Sequence, residues 1–294
     1  MNHFHTRFGA CIAVVACVLC AFLNVPRRAF ARVEWELLRQ VNLTDTPYDI
    51  ALSRDGSTAY ILCGKSVLVY AIGENKITDT IPMTGQFSHI ALSEDGETLF
   101  LTDNDAKRLS LIRVENVFDI DAGASPVIGK KDAPVSVVAF FDYQCPYCAK
   151  VYPTIEQLLA KYPEQVNLVI KHFPLRMHPH AEEASLAALA ASMQDKYQAV
   201  TKALFDNFRN LNETTIKQYV EESGVDMKAF QEAIDDSSVK KIVSEDISLG
   251  ARLKVRGVPT LFINGRRVKD RSLDALSFMV ETELKRDVPV NPPE

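Results

Sequence analysis

The chain has 294 residues, 47% of them hydrophobic and 24% charged, with a formal net charge of −5. That length accommodates two domains with cores of ordinary size, and the composition is that of a globular protein rather than a disordered or fibrous one. Acids outnumber bases and no basic patch stands out, which argues against nucleic acid as a partner.

Residues 1–31 read as an export signal. Arg7 supplies the positive start, Gly9 to Leu23 is an apolar run of 15 residues, and Ala29-Phe30-Ala31 is an A-x-A cleavage site. A membrane span needs about 20 apolar residues, and Asn24, Pro26, Arg27 and Arg28 stop this run short. Two other readings stay open. Arg27 and Arg28 suit an uncleaved membrane anchor, and Val14-Val15-Ala16-Cys17 loosely resembles a lipoprotein signal, although the apolar run continues past Cys17. Cleavage removes three arginines and no acid, which takes the net charge from −5 to −8. It also removes Cys11, Cys17 and Cys20 and leaves Cys63, Cys145 and Cys148. Three cysteines cannot make the scaffold that staples small secreted domains, so one functional pair and one odd thiol is the simpler accounting.

Residues 32–120 are expected to form a β-rich domain containing a repeat. Pro47-Tyr48-Asp49-Ile50-Ala51-Leu52-Ser53-Arg54-Asp55-Gly56 aligns with Phe87-Ser88-His89-Ile90-Ala91-Leu92-Ser93-Glu94-Asp95-Gly96, 40 residues on. Each copy reads strand, Asp-Gly turn, strand. Leu68–Ile72 and Leu109–Val114 supply later strands. Cys63 falls in the apolar pattern Ala59-Tyr60-Ile61-Leu62-Cys63, where a free cysteine behaves as a small buried hydrophobe. The period and the S-x-D-G turn resemble YVTN-type β-propeller repeats. Two blades cannot close a ring, since propellers use about four to eight. The resemblance therefore implies that this module packs on the rest of the chain, on a second copy in a homo-oligomer, or on a partner. The alternative is a plain β-rich spacer.

Asp121-Ala122-Gly123-Ala124-Ser125 is small and polar and reads as a linker to a second domain over residues 126–288. Val135–Asp142 is a buried strand, Pro146–Tyr162 a helix expected to kink at Pro153, which cannot donate to the helical ladder, and Val166–His172 the next strand. His180–Leu253 is helical throughout, with Ala184, Ala187, Ala188 and Ala191 at helical spacing. Thr260–Ile263 and Arg267–Lys269 form a hairpin across Asn264-Gly265, a dipeptide suited to a type I′ turn, and Leu273–Leu284 closes the chain as a helix.

Cys145-Pro146-Tyr147-Cys148 sits on the first strand-to-helix junction. Free N–H groups and the helix dipole there favour a thiolate on the first sulfur, and the two-residue spacing lets the second resolve a mixed disulfide. Cys145 is the candidate nucleophile, exposed at the helix start, and Cys148 the buried resolving thiol. Pro146 suits the first helical turn, where no N–H is needed, and Tyr147 tunes the thiolate. Val258-Pro259-Thr260 follows 110 residues later. Together these segments resemble the thioredoxin superfamily and its DsbA-like branch, over roughly Ser125 to Arg286. The resemblance implies an α/β thioredoxin-like fold with a helical insert at about residues 176–254. It also implies that Val258, Pro259 and Thr260 form a cis-proline loop that binds an extended substrate beside the dithiol.

One departure stands out. Thioredoxins carry a buried acid six residues before the nucleophile, and that position is Ala139 here. Asp142, three residues before Cys145, reads as a solvated strand end, which leaves the proton acceptor for Cys148 unassigned. His172, His178 and His180 could complete a zinc site with two cysteines, but read more simply as polar surface and helix-entry residues. No metal and no cofactor is therefore expected. The expected function is an exported, periplasmic or extracytoplasmic thiol–disulfide oxidoreductase, with disulfide oxidase as the leading direction. Its partners would be cysteine-containing envelope or secreted proteins and a membrane redox partner that reoxidises it. An isomerase or reductase of the same fold, and a redox-sensitive binding module using the N-terminal repeats, are the alternatives.

Overall fold

The computed structural model describes residues 32–286, so the export signal and residues 287–288 of the predicted second domain lie outside the described residues. The chain divides into two compact units, one running to Ile90 and including Thr102–Arg108, the other comprising Ala91–Leu101 and Leu109 onward. Among the described residues no helix is long and apolar enough to cross a membrane.

The first repeat is a four-stranded antiparallel meander of β1 (Pro47–Leu52), β2 (Thr58–Cys63), β3 (Ser66–Ala71) and β4 (Lys76–Pro82). The second is a three-stranded sheet of β5 (His89–Leu92), β6 (Thr98–Asp103) and β7 (Arg108–Arg113). Their Asp-Gly turns are built alike. Asp55 accepts from the Ser53 hydroxyl and from the Ser57 N–H, and Asp95 accepts from the Ser93 hydroxyl and from the Glu97 N–H. Gly56 and Gly96 follow with φ of +66° and +78°, a region that costs a residue with a Cβ. The copies part company at the fourth strand. Residues 116–122, which the offset matches to β4, run instead along the C-terminal hairpin, where Val117 bridges Arg266 and Phe118 N–H donates to the Gly265 carbonyl at 3.0 Å.

The C-terminal sheet has the order β12-β11-β9-β10-β8. It comprises β8 (Val127–Gly129), β9 (Val135–Phe141), β10 (Val166–His172), β11 (Thr260–Ile263) and β12 (Arg266–Arg267). Central β9 pairs parallel with β10 and antiparallel with β11. A parallel pair needs a crossover, and helix α1 (Pro146–Lys161) supplies it, continuous through Pro153. Both faces of the sheet are covered, and the period of two along β9 divides its side chains between them. Val135, Val137, Ala139 and Phe141 join the larger core with Ile155 and Leu158 of α1 and with Leu276 and Val280 of the closing helix. Val138 and Phe140 join a smaller one with Phe262 and Leu253.

The predicted helical stretch is five helices: α2 (Ala181–Ser192), α3 (Tyr197–Asp206), α4 (Glu213–Glu222), α5 (Met227–Ile234) and α6 (Ser237–Arg252). The closing helix α7 spans Leu273–Arg286. In α6, Gly250 lets the backbone approach β9, since a Cβ there would lie 2.5 Å from the Phe173 ring and 3.2 Å from the Phe140 ring. Segment 121–125, expected as a linker, is tied down. Lys171 Nζ donates to the Ala122 carbonyl at 2.8 Å and to the buried Ser125 hydroxyl at 3.0 Å.

Candidate active site

The strand β9 ends where the dithiol begins. Asp142 O accepts the Cys145 N–H at 3.1 Å, and Cys145 then caps α1 with extended backbone while its carbonyl accepts from Ala149 N–H at 3.0 Å. Pro146 occupies the first turn of the helix, where its missing N–H leaves nothing unsatisfied. Pro146 and Tyr147 are exposed. Cys145, expected to be exposed, is 4% exposed, and Cys148 is fully buried one turn in. The difference arises because a second segment lies over Cys145. The Val258–Pro259 bond is cis, and the Cys145 thiol lies 3.8 Å from the Val258 carbonyl as its donor. Thr260 pairs with Phe140 on β9, and its hydroxyl donates to the Gly257 carbonyl at 2.7 Å. The structure therefore brings together all seven residues singled out from the sequence.

The two thiols have opposite acidities. Hydrogen bonding from the Cys148 thiol, helped by the N–H groups of Cys148 and Tyr147, lowers Cys145 from 9.0 to about 6, against the opposing effect of burial. This is the acidity expected of a sulfur at a helix N-terminus, whose first N–H groups have no partner inside the helix. Burial, reinforced by the neighbouring Cys145, pushes Cys148 far above the ordinary cysteine value. At neutral pH the pair therefore holds one thiolate and one thiol, with the thiolate on Cys145.

Asp142 is not the solvated strand end expected from its position. It is fully buried. Its carboxylate accepts from Gln144 N–H at 2.7 Å and from Leu175 N–H at 2.8 Å, and lies 2.7 Å from His178 Nδ1. Gln144 extends the clamp, accepting from His180 N–H at 2.6 Å and donating to the Leu211 carbonyl at 3.3 Å. The turn that presents Cys145 is thereby tied to the β10–α2 loop and to the helical insert. The negative charge of Asp142 acts against the Cys145 thiolate, the weakest of the influences on it.

His180 stands at the N-cap of α2, the helix entry expected for it, whereas His172 departs from expectation. His172 is buried, with its N–H and Nδ1 on Asp246 Oδ2 at 2.8 and 3.0 Å, and its Nε2 3.2 Å from the Tyr197 hydroxyl. Asp246 further receives Lys171 Nζ at 3.3 Å and the Ser125 hydroxyl at 3.1 Å. Buried Tyr143, two residues before Cys145, packs on Phe205 and lies 3.1 Å from the Thr201 hydroxyl. Burial pushes its phenol up to about 12, so it stays neutral. Among the described residues no group of three or more His, Cys, Asp or Glu side chains is placed to hold a metal ion. Sequence reasoning missed the roles of Asp142, His178, Gln144 and the Lys171–Asp246–His172 cluster. The only signal available was the position of Asp142 beside the dithiol.

Residues 121–282 match the family described as thioredoxin. The chain belongs to the thioredoxin family. Among solved structures, a thioredoxin-like oxidoreductase from Silicibacter pomeroyi DSS-3 is 29% identical with a TM-score of 0.50, covering 55% of this chain and 93% of that one. ScsC from Proteus mirabilis in a transitional conformation is 27% identical, again with a TM-score of 0.50, covering 56% of this chain and 74% of that one. BdbD from Bacillus subtilis, 21% identical with a TM-score of 0.51 and coverage of 58% and 98%, shares the thioredoxin-like fold. A curated relative, the Na(+)/H(+) antiporter NhaA 1 of Mycolicibacterium gilvum, is 32% identical over 170 residues, which are 57% of this chain. The chain spans 27% of the length of that antiporter.

Proposed function

We propose that this chain is an exported thiol–disulfide oxidoreductase of the thioredoxin family, working as a disulfide oxidase outside the cytoplasm. The observation that carries the reading is the Cys145 thiol, lowered to about 6 and 3.8 Å from the Val258 carbonyl at the start of α1. In the oxidised protein a substrate thiolate attacks Cys145 Sγ and the Cys145–Cys148 bond breaks. Cys148 leaves with the electron pair and takes up a proton, as its high pKa requires. A second substrate thiolate then attacks the mixed disulfide, and Cys145 departs as a thiolate. The substrate loses two electrons and gains a disulfide, and the dithiol is left reduced. A thiolate this stable is a good leaving group and makes the reduced form the favoured product, which is what an oxidase requires.

Pro259 and the Val258 carbonyl form the edge against which an extended substrate pairs, and Pro146 and Tyr147 flank the attacked sulfur. Buried Asp142, paired with half-buried His178, holds the turn in place. Cysteine-containing envelope or secreted proteins are the substrates, and a membrane redox partner restores the disulfide. Residues 1–31 direct export, residues 32–120 are a propeller-like pair of repeats, and residues 126–288 are the catalytic domain. Equilibrating the purified protein against glutathione mixtures tests the direction. A potential near about −120 mV supports the oxidase, and one near about −270 mV overturns it in favour of a reductase.

A further inference from the structure

The two repeats differ by one strand, and the chain carries a segment with strand-like alternation outside any sheet. β4 completes the first sheet, whereas the matching residues 116–122 run to Arg266 and Gly265. β7 therefore ends the second sheet, with its outer edge unpaired among the described residues. Leu109 and Leu111 on this strand are 57% and 60% exposed, and Arg108 and Arg113 stand at its ends. Upstream of β1, Val33-Glu34-Trp35-Glu36-Leu37 alternates apolar and acidic residues at the period of a strand. These residues belong to no sheet here, and Val33, Trp35 and Leu37 are 91%, 86% and 71% exposed. Arg39 anchors the segment just beyond, donating to the Ile72 carbonyl at 2.9 Å.

We propose that residues 33–38 of one copy add to β7 of a second copy as its missing fourth strand, and that the reciprocal addition makes a two-fold dimer. Strand addition supplies main-chain hydrogen bonds to both partners and covers an edge that is otherwise open to aggregation. Charge selects β7. With Val33, Trp35 and Leu37 of the incoming strand on the face of Leu109 and Leu111, Glu34 and Glu36 share the other face with Arg108, which also pairs with Asp103 at 3.0 Å. The other outer strand with exposed apolar residues, β1, carries Asp49 and would set like charges opposite one another. A second copy is the occupant because strand and edge both belong to this chain, and a closed two-fold arrangement uses both while leaving neither unpaired. The inference stands independently of the redox reading.

Trp35 is the single tryptophan of the chain, so its emission reports on this segment alone. Sedimentation velocity and Trp35 fluorescence of the purified protein, followed together over a concentration series, test the proposal. The expected result is a monomer–dimer equilibrium in which Trp35 emission shifts to the blue as dimer forms. Glu34→Arg/Glu36→Arg, on an exposed segment where folding is not at risk, should raise the dimer dissociation constant at least about tenfold. Leu111→Lys should weaken the dimer similarly. Three results would each overturn the proposal: a monomer with solvent-exposed Trp35 throughout, a monomer with concentration-independent blue emission, or a dimer whose Trp35 stays in water.

Discussion

The repeats and the dithiol region both depend on aspartates, and they use them in opposite ways. Asp55 and Asp95 are exposed, and each closes a turn by accepting from groups two residues away. Asp142 and Asp246 are buried, and each joins elements far apart in the chain. Asp142 holds Leu175 and His178, 33 and 36 residues on, while Asp246 holds His172 and Ser125, separated from it by 74 and 121. The first kind of aspartate shapes a chain locally and is replaceable by water. The second has no water to fall back on, and its partners cannot be lost singly without leaving a buried charge uncompensated.

The same contrast holds for the cysteines, and it sets the largest expected effect. Cys145→Ser should lower disulfide exchange with a dithiol peptide by about a thousandfold or more, because the nucleophile is gone. Cys63→Ser in β2 should leave that rate unchanged, since burial raises the Cys63 thiol rather than activating it. Asp246→Ala should cost about 3–5 kcal/mol in denaturant unfolding, the price of stranding Lys171 in the interior. Asp95→Ala, at an exposed turn where water can take the place of the carboxylate, should cost far less. Equal costs for the two substitutions would break the comparison.

Smaller effects appear in titration. Thiolate absorbance at 240 nm should report a midpoint for Cys145 at about 6. Asp142→Asn, which removes a like charge, should move that midpoint down by less than about one unit. An upward shift would show that Asp142 acts mainly by holding the turn. Because folding lowers Cys145 from 9.0, the thiolate's contribution to the stability of the reduced protein is complete above pH 9.0 and is lost as pH falls through about 6. Unfolding of the reduced protein at several pH values, with Cys145→Ser as the reference, checks the sign.

Much of the fold is legible along the chain because local rules wrote it. The strands Val166–His172 and Thr260–Ile263 appear where the apolar patterns put them. Asn264-Gly265 turns with both φ positive, at 43° and 78°, as its composition implies. The Asp-Gly turns recur with matching hydrogen bonds because each is complete within a few residues. The helical insert was legible as helix but not as five helices, since its breaks rest on caps such as Asn212, Asp226 and Asp236, short polar residues that also suit exposed helix faces.

The linear order of residues determined by itself that a cysteine pair would stand at the head of a helix, that a proline loop would follow, and that an Asp-Gly repeat would precede both. These are short-range properties, carried by spacing and backbone preference. Only the tertiary structure decided that Cys145 would be covered by the Val258–Pro259 loop, that Asp142 would be buried against His178, and that residues 116–122 would leave the second repeat for the C-terminal hairpin. Each of those outcomes rests on contacts between residues many positions apart, where burial sets the energy of a charge or a hydrogen bond and no local pattern records it.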